Sequence, residues 1–144
     1  MKKIAILLTA TVFSLLLLSS AGYGDLGDRH EDGKTQMKEA QILIEKGKMM
    51  QQSTFDDKAA MVKEGKEMIS EGNRMIQDGM IADSVAGSSN FQKMGAKMRD
   101  AGRLLVEKGE QKGPLTEEDK KEIKTQGEHL ESVGKRFLEG GKLM

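Results

Sequence analysis

Glycine recurs at every seventh residue of segments that otherwise have the pattern of amphipathic helices, and this spacing constrains the fold more than any other feature. Twelve such positions occur in four sets of three, and eleven of them are glycine. The sets are Gly33, Ala40 and Gly47; Gly65, Gly72 and Gly79; Gly95, Gly102 and Gly109; and Gly127, Gly134 and Gly141. Because the sets begin 32, 30 and 32 residues apart, we interpret residues 33–144 as about four copies of a repeat of roughly 31 residues.

The apolar residues follow the same heptad as the glycines. With glycine at position a, positions d and e are mostly Met, Leu, Ile or Val, as at Met68, Ile69, Met75 and Ile76, and positions b and f are mostly polar. Seven residues turn an α-helix by about 20° less than two full turns, so positions a, d and e form one stripe. No segment alternates with the period of two that is typical of a β-strand. The pattern therefore predicts an all-α protein.

A glycine inside a helix costs roughly 0.5–1 kcal/mol relative to alanine, so eleven of them cost about 5–10 kcal/mol, comparable to the stability of a whole domain. Close approach of two helix backbones compensates for this cost, because no Cβ separates them. We therefore predict helix seams, each filled by a neighbouring helix rather than a ligand, in an antiparallel four-helix bundle or a pair of helical hairpins. The predicted seam residues are Gly47, Gly65, Gly72, Gly79, Gly95, Gly102, Gly109, Gly127 and Gly134.

Capping and helix-breaking residues place the boundaries of four helices. Helix 1 is predicted over residues 29–52, helix 2 up to about residue 82, and a loop over 83–89. Pro114 separates helix 3 from helix 4, which is predicted to begin at Thr116 with three acidic residues after it. One alternative stays open: Gly47 and Gly65 are 18 residues apart, which is five helical turns, so one continuous rod through helices 1 and 2 would also keep the stripe in phase.

The N-terminal 21 residues differ in composition from the rest. Lys2 and Lys3 precede an apolar run that ends in small residues, which is the order of a secretory signal peptide. We predict cleavage after Ala21, a flexible lead-in over residues 22–32 and a helical domain over residues 33–144, in a periplasmic or secreted protein. No later apolar run is long enough to cross a membrane.

The charge and cysteine content of the mature chain exclude several classes of protein. After removal of two lysines, 21 basic residues face 23 acidic ones, and this near-balance argues against nucleic-acid binding. The chain has no cysteine, so disulfides and thiolate metal sites are absent. The two histidines, His30 and His129, lie in the lead-in and at an outward position of helix 4. No pattern of paired carboxylates or nucleophile and base indicates an enzyme.

Methionine is the main candidate for metal chemistry. Thioethers are ligands for soft ions such as Cu(I) and Ag(I), and the candidates are Met49 and Met50, which are adjacent, and Met94 and Met98, one turn apart. Methionine is also a flexible core residue that fills irregular gaps. We favour the core role and keep a soft-metal site at these four residues as the alternative.

A non-enzymatic structural or protein-interaction role is the function that the sequence favours. A flexible, Met-rich surface can repack around varied partners, and self-association through the same seams is a further expectation. The segment LTEEDKKEIKTQ, residues 115–126, is similar to the Leu-Thr-x-x-Gln element of periplasmic helical stress chaperones of the Spy and CpxP type. Asp119 stands where that element has Gln, and the segment occurs once. The resemblance implies a chaperone-like role, and we assign no family on it.

Overall fold

A computed structural model describes residues 33–81 and 88–142 of the chain. These ranges contain four helices and no strand: α1 (Gly33–Gln52), α2 (Lys58–Ile81), α3 (Ser88–Glu110) and α4 (Glu117–Lys142). The prediction of an all-α protein is confirmed for this part of the chain. The predicted signal peptide, the predicted lead-in and most of the predicted 83–89 loop lie outside the described residues.

The helices form two close antiparallel pairs, α2 with α3 and α1 with α4. Helices α2 and α3 are consecutive, whereas α1 and α4 come from opposite ends of the described chain. The arrangement is compatible with a helical bundle. Only one of the two close pairs is a hairpin of consecutive helices, so the alternative of two helical hairpins does not describe it.

One cluster of buried apolar side chains joins all four helices. Methionine dominates this core, because an unbranched and flexible side chain fits the irregular space between closely paired helices. The fully buried side chains are Leu43, Met50, Met68, Met75, Met94, Met98, Ile123 and Leu130. Most of them occupy the predicted d positions, but Met94 and the buried Ala101 precede a glycine directly. The buried stripe is therefore wider on α3 than the a, d and e positions alone indicate.

A five-residue connection over residues 53–57 separates α1 from α2, so the two helices are not one continuous rod. Asp57 caps α2, since its Oδ1 accepts a hydrogen bond from the backbone N–H of Ala60 at 3.0 Å. Phe55 has a φ of 58°, a left-handed conformation that costs a bulky residue of the order of 1–3 kcal/mol. Its ring is only 6% exposed and belongs to the core. Burial of the ring therefore offsets the strain.

The connection between α3 and α4 follows the sequence prediction closely. Gly113 has a φ of 81°, which glycine adopts without strain, and Pro114 comes next. Thr116 and Asp119 then form a reciprocal cap: the Thr116 backbone N–H donates to Asp119 Oδ2 at 2.9 Å, and the Asp119 N–H donates to Thr116 Oγ1 at 3.1 Å. Lys58, at the start of α2, donates to the carbonyl oxygens of Gln111 and Gly113. The connection is thus fastened to the start of α2, the helix that pairs with α3.

Candidate functional site: the glycine seams and their flanks

The seam between α2 and α3 is a direct contact of two helix backbones. A Cβ atom on Gly72 would lie 2.5 Å from the carbonyl oxygen of Gly95, and a Cβ on Gly65 would lie 2.6 Å from that of Gly102. The relation is reciprocal, because a Cβ on Gly102 would lie 2.5 Å from the carbonyl oxygen of Gly65, and one on Gly95 would meet that of Gly72. Side chains do not approach backbone atoms so closely. Only glycine fits at these four positions.

The seam between α1 and α4 repeats this geometry. A Cβ on Gly47 would lie 2.6 Å from the carbonyl oxygen of Gly127, and a Cβ on Gly127 would lie 2.7 Å from that of Gly47. One heptad away, Gly134 stands in the same relation to the carbonyl oxygen of Ala40, at 2.7 Å. In both seams the hydrogen that takes the place of the Cβ points at a carbonyl oxygen. This is the arrangement of a weak Cα–H···O hydrogen bond, which contributes about 0.5–1 kcal/mol.

The remaining predicted seam residues differ in their surroundings. A Cβ on Gly109 would meet the side chain of Val62 at 2.5 Å and the carbonyl oxygen of Lys58 at 3.1 Å, so here a side chain fills most of the groove. Gly79 is buried near the end of α2. Gly140 is a glycine outside the heptad, and a Cβ there would meet only Gln36 Nε2, at 3.4 Å. The close contacts thus belong to the heptad glycines.

Side chains at position e flank the α2–α3 seam and are only partly buried. We call Val62, Ile69, Ile76, Arg99 and Val106 the outer strip. Side-chain atoms of Val62, Ile76, Arg99 and Val106, and the backbone nitrogen of Ile69, would touch a Cβ placed on a seam glycine. All five residues are partly exposed. Because the two backbones leave no space between them, these side chains lie over the seam instead of inside it. The result is a largely apolar strip at the surface of this helix pair.

Arg99 is the one cation of the outer strip. Its Nε atom is buried and has no hydrogen-bond acceptor among the described residues, while Asp100 Oδ1 lies 4.0 Å away. The side chain as a whole is 31% exposed. Its backbone nitrogen and Cβ are the atoms that a Cβ on Gly72 would strike, so Arg99 is held in place by the seam itself.

Two of the position-e residues beside the α1–α4 seam are polar, Gln51 and Glu131, and the other three are the apolar Met37, Ile44 and Leu138. Gln51 Nε2 donates to Glu131 Oε2 at 2.6 Å, and Lys135 lies 2.6 Å from the other oxygen of that carboxylate. Hydrogen bonds from Lys135 and then from Gln51 lower the pKa of Glu131. Ile44, at position e, is only 5% exposed. The two seams therefore share a backbone geometry but differ in the chemistry of their outer sides.

An ion cluster around Arg74 joins α1 to α2. Its Nη2 donates to both carboxylate oxygens of Glu39 at 2.8 Å and to Glu71 at 2.6 Å, and its Nη1 donates to Asp78 at 2.8 Å. Burial raises the pKa of Glu39, whose side chain is 7% exposed, although the bonds from Arg74 act to lower it. Burial acts to lower the pKa of Arg74, but the bonds to Glu71 and Glu39 outweigh it, so Arg74 stays charged.

Other polar contacts also connect helices. Lys46 pairs with Glu64 between α1 and α2. Gln36 donates to the carbonyl oxygen of Phe137 at 2.9 Å and accepts from Asn90 at 3.1 Å, so that it links α1, α4 and α3. These polar groups serve to hold the helix pairs together.

Lys108 links α3 to α4, because it lies 2.8 Å from Asp119 and 2.7 Å from Glu122. Bonds from Lys108 and from the Thr116 backbone and hydroxyl hold the pKa of Asp119 well below its usual range. The bonds to Asp119 and Glu122 raise the pKa of Lys108. Both groups therefore remain charged at neutral pH.

The sequence pointed only partly to the Arg74 cluster. Glu71 and Asp78 lie three and four residues from Arg74 on the same helix, a spacing that predicts local ion pairs. Nothing local marks Glu39, because it becomes a partner of Arg74 only through the tertiary arrangement of α1 and α2.

The structure places the four methionine candidates in or beside the core. Met50, Met94 and Met98 have no exposed surface, and Met49 is partly buried against the same cluster. The described residues contain no group of three or more His, Cys, Asp and Glu side chains suited to a metal ion. His129 is exposed, in agreement with its predicted outward position. A soft-metal site at the methionines stays a prediction.

The described residues form an all-α protein in which the helices pair through direct backbone contact, α1 with α4 and α2 with α3. No described helix combines the length and the apolar character that are needed to cross a bilayer. Comparisons with protein-family models, with curated proteins and with solved structures find no match. The segment that resembles the Leu-Thr-x-x-Gln chaperone element forms the N-terminal cap and first turns of α4, where Asp119 accepts bonds from Thr116.

Proposed function

We propose that the protein is an exported, non-enzymatic helical module that acts by protein interaction, in a structural or chaperone-like role. The observation that carries the proposal is the outer strip, which the backbone contact at Gly65, Gly72, Gly95 and Gly102 displaces to the surface. Partly exposed apolar side chains on a firmly paired helix couple offer a contact site for apolar segments of another protein. The predicted signal peptide supports a periplasmic or secreted location.

We further infer that the four helices derive from one Gly-heptad repeat of roughly 31 residues. Both seams support this inference, because in each of them two contacts lie one heptad apart, at Gly65 and Gly72 in the first seam and at Ala40 and Gly47 in the second. A protein built from one repeated unit presents the same seam on every helix. That property suits a structural or self-associating role.

The proposal is tested by measuring whether the mature chain prevents aggregation of an unfolding protein. Residues 22–144 are mixed with insulin, whose B chain aggregates after reduction, and light scattering is followed. We expect suppression by the native chain. An Ile69→Thr, Ile76→Thr double variant removes apolar surface from the outer strip, so we expect it to need a several-fold higher concentration for the same suppression.

A matched control carries the same chemical change elsewhere. Ile42 and Val133 are partly buried apolar residues beside the core and outside the outer strip. The Ile42→Thr, Val133→Thr variant should suppress aggregation as the native chain does, once far-UV circular dichroism shows that both variants are folded. Equal suppression by the strip variant, or none by the native chain, would contradict the proposal.

A further inference from the structure

The connection between α1 and α2 combines a short length with backbone strain. It spans residues 53–57 and contains Phe55 at a φ of 58°, a conformation that non-glycine residues adopt rarely. The backbone N–H of Phe55 donates to Ser53 Oγ at 3.2 Å. Short, strained connections between helices favour opening and exchange of an element between two chains. Straightening this connection into helix would remove the strain.

A straight helix through this connection would keep the glycine stripes in register. Gly47 and Gly65 are 18 residues apart, which is five turns, so their stripes would lie on the same side of one rod. In the single chain the two stripes face α4 and α3, respectively. With α1 and α2 collinear, α1 would lie too far from the α4 of its own chain to contact it. Its stripe would remain open for the same contact on another chain.

A second copy of the chain, related to the first by a two-fold axis through the connection, can supply the α4 that the glycine stripe of α1 would then lack. Two straight rods would lie antiparallel, as α1 and α2 do in the single chain, where Glu39 pairs with Arg74 and Lys46 with Glu64. The axis places the α4 of each copy on the side of the partner's rod that carries the glycine stripe. The arrangement requires the glycine stripes of α1 and α2 to lie on the same side of the rod. A different spacing between Gly47 and Gly65 would rotate the stripe of α1 away from the partner's α4.

We propose that the partner of this protein is a second copy of its own chain, which exchanges α1 by straightening residues 53–57, so that each α1 packs its glycine seam against the partner's α4. The exchange keeps the contacts of α1 with α4, α2 and the core. It gains helical backbone hydrogen bonds and relieves the strain at Phe55, but it loses the Asp57 cap, the burial of the Phe55 ring that the turn provides and the freedom of a separate chain, so the dimer forms at high protein concentration. The proposal rests on the proposed function in that it names the interaction partner.

An engineered disulfide distinguishes exchange from other association. The chain has no cysteine, and Gln51 on α1 contacts Glu131 on α4. In the mature Gln51→Cys, Glu131→Cys variant, oxidation links residues of one chain in the monomer and of two chains in the exchanged dimer. The dimer fraction from size-exclusion chromatography of a concentrated sample should therefore migrate at twice the monomer mass on a non-reducing denaturing gel.

The matched control links the helices that stay together. Ile76 and Arg99 take the corresponding places beside the α2–α3 seam, so the Ile76→Cys, Arg99→Cys variant should give single-chain bands from the same dimer fraction. Absence of a dimer at millimolar concentration, or a dimer whose 51–131 disulfide stays within one chain, overturns the proposal. Neither result affects aggregation suppression by the monomer, so the two proposals fail independently.

Discussion

The carbonyl oxygen of Gly95 lies 2.5 Å from the place that a Cβ on Gly72 would occupy, and the carbonyl oxygen of Gly72 stands against Gly95 in return. This reciprocal contact explains why glycine, a poor helix former, occupies the middle of α2 and α3. The atoms that would be displaced belong to the backbone and not to a flexible side chain. Neither helix can therefore make room by a change of rotamer.

Replacement of Gly72 by alanine should destabilise the protein. The new Cβ would lie 2.5 Å from Gly95 O and 2.7 Å from Arg99 N, so the helices must separate, and overpacking of this kind costs about 1–3 kcal/mol. Alanine is the better helix former by about 1 kcal/mol, which offsets part of the cost. We expect a net loss of up to about 2 kcal/mol in urea unfolding followed by far-UV circular dichroism.

Gly140→Ala is the control for that measurement. It lies inside α4 and gains the same helix propensity, but its Cβ would meet only Gln36 Nε2 at 3.4 Å. We expect it to raise the free energy of unfolding by up to about 1 kcal/mol. If both substitutions stabilise the protein, the close backbone contact described at Gly72 is wrong.

Glu39→Gln should stabilise the protein at neutral pH. Burial raises the pKa of Glu39 above its ordinary 4.5, so its charged form is less favourable in the folded state than in the unfolded one. The stability that this group contributes is complete below pH 4.5 and is lost as the pH rises through the raised pKa. The variant should therefore exceed the native protein in urea unfolding at pH 7, and the difference should vanish near pH 4.

Arg74→Gln is the counterpart within the same ion cluster. It leaves the buried carboxylate of Glu39 without its cation. Loss of one partner from a buried pair costs about 3–5 kcal/mol, and partial exposure of the guanidinium places the expected loss at or below about 3 kcal/mol. Equal stability of Arg74→Gln and the native protein at pH 7 would rule out the described pairing.

Asp119→Asn should show the opposite dependence on pH. Bonds from Lys108 and Thr116 lower the pKa of Asp119 below its ordinary 3.8, so the charged form is favoured in the folded state. Its contribution is present above pH 3.8 and is lost as the pH falls through the lowered pKa. The variant should melt at a lower temperature than the native protein at pH 7, and the difference should narrow below pH 3.8. A gap that is constant with pH would contradict this assignment.

The methyl groups of the buried methionines should not respond to a soft metal ion. Met50, Met94 and Met98 have no exposed surface, so Ag(I), used in place of Cu(I), would have to open the core to reach them. We expect a methionine-methyl NMR spectrum of residues 22–144 to keep its dispersed signals after one equivalent of Ag(I). Large shifts confined to Met94 and Met98, and absent from a Met94→Leu, Met98→Leu variant, would instead support the soft-metal alternative.

Local chemistry made parts of the fold predictable. Pro114, and Thr116 with the three acidic residues after it, placed the start of α4 close to where the structure has it, at Glu117, because caps depend only on neighbouring residues. The start of α3 at Ser88 falls inside the segment predicted as loop. The one-rod alternative for α1 and α2 was wrong for the single chain. The spacing of the glycines permits a single rod. The turn at Phe55 could not be predicted locally, because it depends on burial of the Phe55 ring in a core formed by all four helices.

The sequence by itself determined that the chain is helical and where each helix carries glycine and methionine, because periodicity and helix caps act within one helix. Only the tertiary structure decided which helix each glycine stripe faces. All four stripes are alike, so no local signal separates the pairing of α1 with α4 from the pairing of α1 with α2. The same holds for Glu39 and Arg74, which are 35 residues apart. Their contact exists only because the packed core brings two charged faces together.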